Sequence, residues 1–196
     1  MQEETPYDDD FYQKQIEGSL RSARIVLGML WERIQPASVL DVGCGRGAWL
    51  KACREFGAST IEGFDGDWNR GDLMIDEAIT FRNCNLNKPI ELARSYDLAI
   101  GLDVAEHLEP ESAHSFIASL SAASDLVLFS AAYSNQRGER STSTNNPTQT
   151  GQEYFSTLGT TRSTHSGRKH GTTIKLSSGI VKTCFFMQRA AVRHLT

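Results

Sequence analysis

Ser38-Val39-Leu40-Asp41-Val42-Gly43-Cys44-Gly45-Arg46-Gly47-Ala48-Trp49-Leu50 is the stretch on which the reading of the whole chain turns. Val39, Leu40 and Val42 form a short apolar, β-branched run suited to a buried strand. Three alternate glycines follow, and then Ala48, Trp49, Leu50, Ala52 and Phe56 recur on one helical face that closes at Gly57. The segment predicts a strand, a tight glycine turn and a helix. Glycine in such a turn lets backbone N–H groups approach a ligand, because it carries no Cβ and accepts positive φ. The spacing is D-x-G-x-G-x-G, not the dinucleotide G-x-G-x-x-G, and Asp41 lies inside the strand two residues before the first glycine. A carboxylate there would repel a pyrophosphate and suits a ligand that presents an amino group.

Working outward, Ile16, Leu20, Ala23, Ile25, Leu27, Leu30 and Ile34 recur at helical spacing, which predicts one or two amphipathic helices before Pro36. Downstream the pattern predicts a strand over Thr60 to Asp65, a helical stretch around Asp72 to Ala78 and an edge strand within Phe81 to Lys88. It continues with a strand over Tyr96 to Leu102, a helix from Pro110 to Ala122 and a strand over Leu126 to Phe129. Strand-helix alternation of this kind means an α/β, doubly wound, mostly parallel sheet with helices on both faces. Asp65, at the end of the second strand, is placed to accept both hydroxyls of a ribose. Trp68 is placed to pack on an adenine face, and Asn85 with Leu86, where the third strand should end, to read the base. His107 follows the fourth strand and is the general-base candidate, since imidazole titrates near neutrality. Tyr12 and Arg24 on the N-terminal helix are candidates to close over the site.

SVLDVGCGRGAWL, then IEGFDGDW, then YDLAIGLDVAEHL together resemble a class I S-adenosylmethionine-dependent methyltransferase of the small-molecule group with an E-H-L signature after the fourth strand. The resemblance spans residues 10 to 132. It implies a Rossmann-like methyltransferase fold, S-adenosyl-L-methionine as cofactor and a small-molecule methyl acceptor. By position it implies that Gly43, Gly45 and Gly47 line the methionine side, Asp41 supports the amino group, Asp65 holds the ribose, and Asn85 with Leu86 contacts adenine. An aspartate often stands in the family where Asn85 does.

Composition narrows the classes. A chain of 196 residues with 39% hydrophobic residues and a net charge of −4 fits a globular protein of the cytoplasm, with no apolar run near the roughly 20 residues that span a bilayer. Cys44, Cys53, Cys84 and Cys184 form no C-x-x-C pair, so reduced thiols are expected and no metal site.

The charge changes sharply at Tyr133. Residues 1 to 132 carry a net of −11 and residues 133 to 196 a net of +7, and 16 of the 41 residues from Tyr133 to Thr173 are Ser or Thr. Composition reads that stretch as loop, with Ile180 to Met187 a strand that has no prepared partner. The basic residues are scattered instead of clustered, which argues against a nucleic-acid-binding arm. The expected organisation is an N-terminal helical cap over 1–36, a cofactor-binding α/β domain over 37–132 and a poorly ordered tail over 133–196, with the family's final antiparallel strands missing. Grouping each third base with the next two, codons permitted for Gly138 to Asn146 also spell Gly-Thr-Lys-His-Val-Asn-Glu-Gln, the sequence expected of such a family at this point. A frame displaced near Tyr133 is therefore the hypothesis for the tail, and in that case its chain would be a degraded methyltransferase. Sequencing the gene across Tyr133 checks it: a displaced frame that encodes the family's ending is the expected result, and an unbroken frame without that alternative sinks the idea.

Overall fold

The computed structural model describes residues 9–109, 111–131, 173–176 and 182–188, with side chains over 14–109 and 111–130. The elements run α1 (Asp9–Trp31), β1 (Ser38–Val42), α2 (Ala48–Glu55), β2 (Thr60–Asp65), β3 (Thr80–Asn83), β4 (Leu98–Leu102), α3 (Ser112–Ala123), β5 (Leu126–Ala131), β6 (Thr173–Leu176) and β7 (Lys182–Gln188). One seven-stranded sheet holds them in the order β3-β2-β1-β4-β5-β7-β6. The first five strands pair in parallel, while β7 runs antiparallel to both β5 and β6.

Both faces of the central strands are buried, which is why they read as apolar runs instead of alternating ones. The period of two still sorts them. Val39, Leu98, Ile100 and Leu128 face one cluster with Leu50, Ala52 and Cys53 of α2 and Ala23, Val26, Leu27 and Leu30 of α1. Leu40, Val42, Phe64, Ala99, Val127 and Phe129 face the other, against Phe116, Ile117 and Leu120 of α3. The N-terminal segment forms one helix, not two, and its Arg24 makes a two-pronged ion pair with Glu55 of α2, at 2.7 and 2.8 Å, so the guanidinium is committed to helix packing. The Tyr12 side chain lies outside the described residues.

Three expectations need correction. The helix expected around Asp72 to Ala78 is a single 3-10 turn over Gly71–Leu73, in a loop that packs back by the Ile75 N–H on the Arg46 carbonyl. Asp72, Asp76 and Glu77 give a helix-like charge pattern, but of the apolar residues in this loop Met74 and Ile79 are those that pack on the α1–α2 cluster. The final antiparallel strands are also present: Lys182–Gln188 covers β5 from Leu126 to Ala131, and Thr173–Leu176 covers it in turn. An apolar β5 edge with unpaired N–H and C=O groups recruits a strand-forming run wherever the chain supplies one. Composition concealed the third point, the partner of β7, because Thr173-Ile174-Lys175-Leu176 belongs to a Ser/Thr-rich stretch although Thr and Ile are strand formers. The remaining residues of 133–196 lie outside the described set. Among the described residues no helix is long and apolar enough to cross a membrane.

Asp97 fastens the start of β1 to the start of β4. Its Oδ2 accepts hydrogen bonds from the N–H of Ala37 and Ser38 and from the Ser38 hydroxyl, at 2.8 to 3.0 Å. These donors hold its carboxyl below the ordinary value, Ser38 first among them. Its stabilisation is therefore present above the ordinary carboxylate value and is lost as pH falls below it, through the lowered value of the folded state. Asp97→Ala should lower unfolding free energy by about 1 kcal/mol at pH 7, a figure kept small by solvent screening, and by less at pH 3. Urea titrations at the two pH values measure it.

Candidate functional site: the crevice at the carboxyl ends of the central strands

Strand order reverses between β1 and β4, and in open parallel sheets ligands bind outside the carboxyl ends at that switch point. The glycine turn stands there. Gly43, Gly45 and Gly47 all have positive φ, at 83°, 52° and 84°, but they use it differently. A Cβ on Gly43 would meet Val104 Cγ2 at 2.2 Å, and one on Gly47 would meet Ile79 Cδ1 at 2.4 Å, whereas one on Gly45 would meet nothing within 4 Å. Two of the glycines therefore admit neighbouring loops, and Gly45 alone turns its bare Cα to open space.

Asp65 locks this turn to the end of β2. Its Oδ2 accepts from the Gly45 N–H at 2.8 Å and from Asn69 Nδ2 at 3.1 Å, and its Oδ1 accepts from the Gly66 N–H at 2.8 Å. Asn69, buried, also donates to the Gly45 carbonyl, and Asn83 at the end of β3 donates to the carbonyls of Gly66 and Asn69. Neither asparagine was singled out from sequence. The D-x-x-x-N spacing from Asp65 to Asn69 was visible, but polar residues after a strand read equally well as solvated loop.

Asp41 is buried at 3% exposure on β1, level with Gly63 of β2 and Ile100 of β4. Burial first and the Asp65 carboxylate second raise its pKa from 3.8 to about 8, and no hydrogen-bond donor among the described residues offsets them. Held in the core in this way, the acid is mostly protonated at neutral pH, and only a positive charge brought against it would favour its ionised form. Cys44, beside it, is buried and its thiol is pushed upward by the same burial and by both acids, which makes it a poor nucleophile.

The remaining predicted residues are arranged more loosely. Trp68 is 76% exposed and lies against Gly66, where a Cβ would be 2.0 Å from its ring. Asn85 is exposed, and its Oδ1 accepts from the Asn87 N–H at 3.0 Å in a local turn. The Leu86 side chain is buried in the core cluster shared with Phe64 and Tyr96, so only its backbone remains to face a base. Asn85 borders a cavity of about 250 Å³ with Phe64, Arg82, Cys84 and Lys88. A larger hollow of about 520 Å³ lies beside α2, between Lys51, Arg54, Met74 and Asp76, and contains none of the predicted residues. It is an open depression over surface ion pairs of Asp76 with Lys51 and Arg54. His107 ends a 3-10 turn, Ala105–His107, and is exposed.

A buried, unpaired acid beside a glycine turn, on a parallel sheet closed by an antiparallel strand, defines a class I methyltransferase fold. The sequence matches the model of a methyltransferase-domain family over residues 12–155, and the chain belongs to that family. It is an S-adenosylmethionine-dependent methyltransferase. No curated protein matches it. Among solved structures it is similar to magnesium protoporphyrin IX methyltransferase from Synechocystis PCC 6803 with bound S-adenosylhomocysteine, at 20% identity and a TM-score of 0.66, over 95% of this chain and 90% of that one. The methyltransferase domain of bacterial CtHen1 aligns at 14% identity and a TM-score of 0.62, over 84% and 96%. CalS10, an amino pentose methyltransferase from Micromonospora echinaspora, aligns at 18% identity and a TM-score of 0.56, over 70% and 61%.

The three glycines should separate in mutagenesis. Gly43→Ala must displace stiff, β-branched Val104 and should cost about 2–4 kcal/mol of stability. Gly45→Ala should cost only the left-handed strain, about 1 kcal/mol, and Gly47→Ala should fall between them because Ile79 Cδ1 can swing aside. Chemical denaturation of the three variants tests the order.

Proposed function

We propose that this protein transfers a methyl group from S-adenosylmethionine to a small-molecule acceptor in the cytoplasm, holding the cofactor through Asp41, Gly43, Gly45, Gly47, Asp65, Trp68, Asn85 and Leu86. The observation that carries the reading is Asp41: it is buried with no donor among the described residues, and its environment favours a cationic partner. The ammonium of the cofactor's methionine end supplies that partner, and the backbone around Gly45 takes the chain beside it. Asp65 already accepts three protein hydrogen bonds, and a carboxylate has about four lone-pair sites, so it holds one ribose hydroxyl and not both. Trp68 offers its outer face to the adenine, and Asn85 with the Leu86 backbone reads the base edge. His107 stands at the rim as general-base candidate for the acceptor.

The chemistry asks little more of the chain. The bound cofactor supplies an electrophilic methyl group on a sulfonium, so the protein has to hold an acceptor in line and give its proton somewhere to go. Small-molecule acceptors are supported by two structural neighbours whose names specify a porphyrin and an amino pentose.

Calorimetric titration with S-adenosylhomocysteine at pH 7, in phosphate and in Tris, tests the proposal. With a pKa of about 8, Asp41 is mostly protonated in the unliganded protein, and pairing with an ammonium ionises it. Binding should release close to one proton, seen as a buffer-dependent heat, and Asp41→Asn should bind more weakly with no such dependence. Equal heats in both buffers would remove Asp41 from the amino-group site. A folded chain that gives no heat would be a non-catalytic remnant.

A further inference from the structure

Asp103 is the described non-glycine residue with positive φ, at 55°, and it follows directly on β4. Such a backbone persists only where the surroundings impose it, and it marks functional positions often enough to require an explanation. The surroundings here are specific. The Asp103 N–H donates to the backbone carbonyl of Ser130 at 3.1 Å and to its hydroxyl at 3.2 Å, and that hydroxyl donates back to Asp103 Oδ1 at 3.0 Å. Ser130, on β5, is 2% exposed, so the clamp is fixed in the sheet.

The register places this carboxylate at the switch point. Asp41 lies opposite Ile100, so the end of β4 runs level with the glycine turn, and Val104 packs over Gly43. Asp103 thus lies on the β4 side of the crevice, with Asp41 on β1 and Asp65 on β2 behind it. A cofactor whose ribose meets Asp65 and whose amino group meets Asp41 has its sulfur over the turn between them, and the β4 side is left for the acceptor.

We propose that Asp103 is the acceptor-side carboxylate of the enzyme, facing the transferable methyl group and receiving the proton of a hydroxyl or amine acceptor. This rests on the cofactor placement proposed above. In the step, a lone pair on the acceptor oxygen or nitrogen forms the bond to the methyl carbon. The carbon–sulfur bond breaks with its electron pair left on sulfur, which passes from sulfonium to neutral thioether. The acceptor's proton goes to the Asp103 carboxylate and from there to water when the product leaves. Ser130 is the positioning residue that keeps one carboxylate oxygen aimed. Asp103 then takes, in place of the exposed His107, the role of base toward the acceptor.

The test needs no acceptor. Sinefungin carries an ammonium-bearing carbon in place of the sulfonium, whereas S-adenosylhomocysteine is neutral at that position, so a carboxylate nearby distinguishes the two. Asp103→Asn keeps the shape, the hydrogen bond to Ser130 and the tolerance for positive φ. It should weaken sinefungin binding about tenfold, the lower end of what an opposite charge within a few ångströms contributes, and change S-adenosylhomocysteine binding less than about threefold. Its melting temperature should match the wild type's, which separates loss of charge from loss of fold. Asp41→Asn, by contrast, should weaken both ligands alike, because both carry the amino group. If Asp103→Asn leaves sinefungin unaffected, or weakens both ligands equally, Asp103 does not face the methyl group and the proposal fails while the cofactor site stands. If the folded wild type binds neither ligand, both proposals fall together.

Discussion

The hydrogen bond from the Gly45 N–H to Asp65 Oδ2, at 2.8 Å, is the constraint on which the rest of the site depends. It joins the loop after β1 to the loop after β2, two segments that the parallel ladder leaves free once the strands end. Asn69 doubles the link by donating to both sides of it, and Asn83 extends it to β3. A loop at the end of a parallel strand has no ladder to satisfy its backbone groups, so side chains must do it. Here they also make the turn rigid in the left-handed conformations that only glycine adopts without strain.

The same link sets the electrostatics. Bringing Asp65 to the glycine turn places a second acid near Asp41, which burial already keeps from ionising. Acidic side chains on β1, at the end of β2 and directly after β4 together disfavour anions on this side of the sheet. The bend at Asp103 belongs to this arrangement, since an extended backbone there would carry the carboxylate away from Ser130.

The far half of the sheet has a different basis. β5 is apolar from Leu126 to Phe129 and lies between β4 and β7, so its backbone is paired on both sides. The described part of the tail is what closes that edge. A Ser/Thr-rich composition says little against such a role, because a strand needs only a few residues of suitable type in an extended run.

Much of the fold was legible in the chain itself. Alternation of Val39, Leu40 and Val42 with the glycine spacing and the α2 face determined the β1-turn-α2 unit, and the apolar runs at β2, β4 and β5 determined parallel strands buried on two faces. Asp41 and Asp65 stood out as candidates because an acid inside a buried strand, or at its end, is unusual, and the structure places both beside the glycine turn. Tertiary structure alone decided the rest. The 3-10 turn at Gly71–Leu73 replaced an expected helix where the loop packs back on the glycine turn, the Ile75 N–H donating to the Arg46 carbonyl. Strands β6 and β7 became strands because β5 needed partners. Asn69, Asn83, Asp103 and Ser130 acquired meaning only where distant loops met, since a hydrogen bond between segments 20 or more residues apart leaves no periodicity in the sequence. Local patterns are read from the chain because they repeat along it, whereas a crevice is assembled from single residues that are neighbours only after folding.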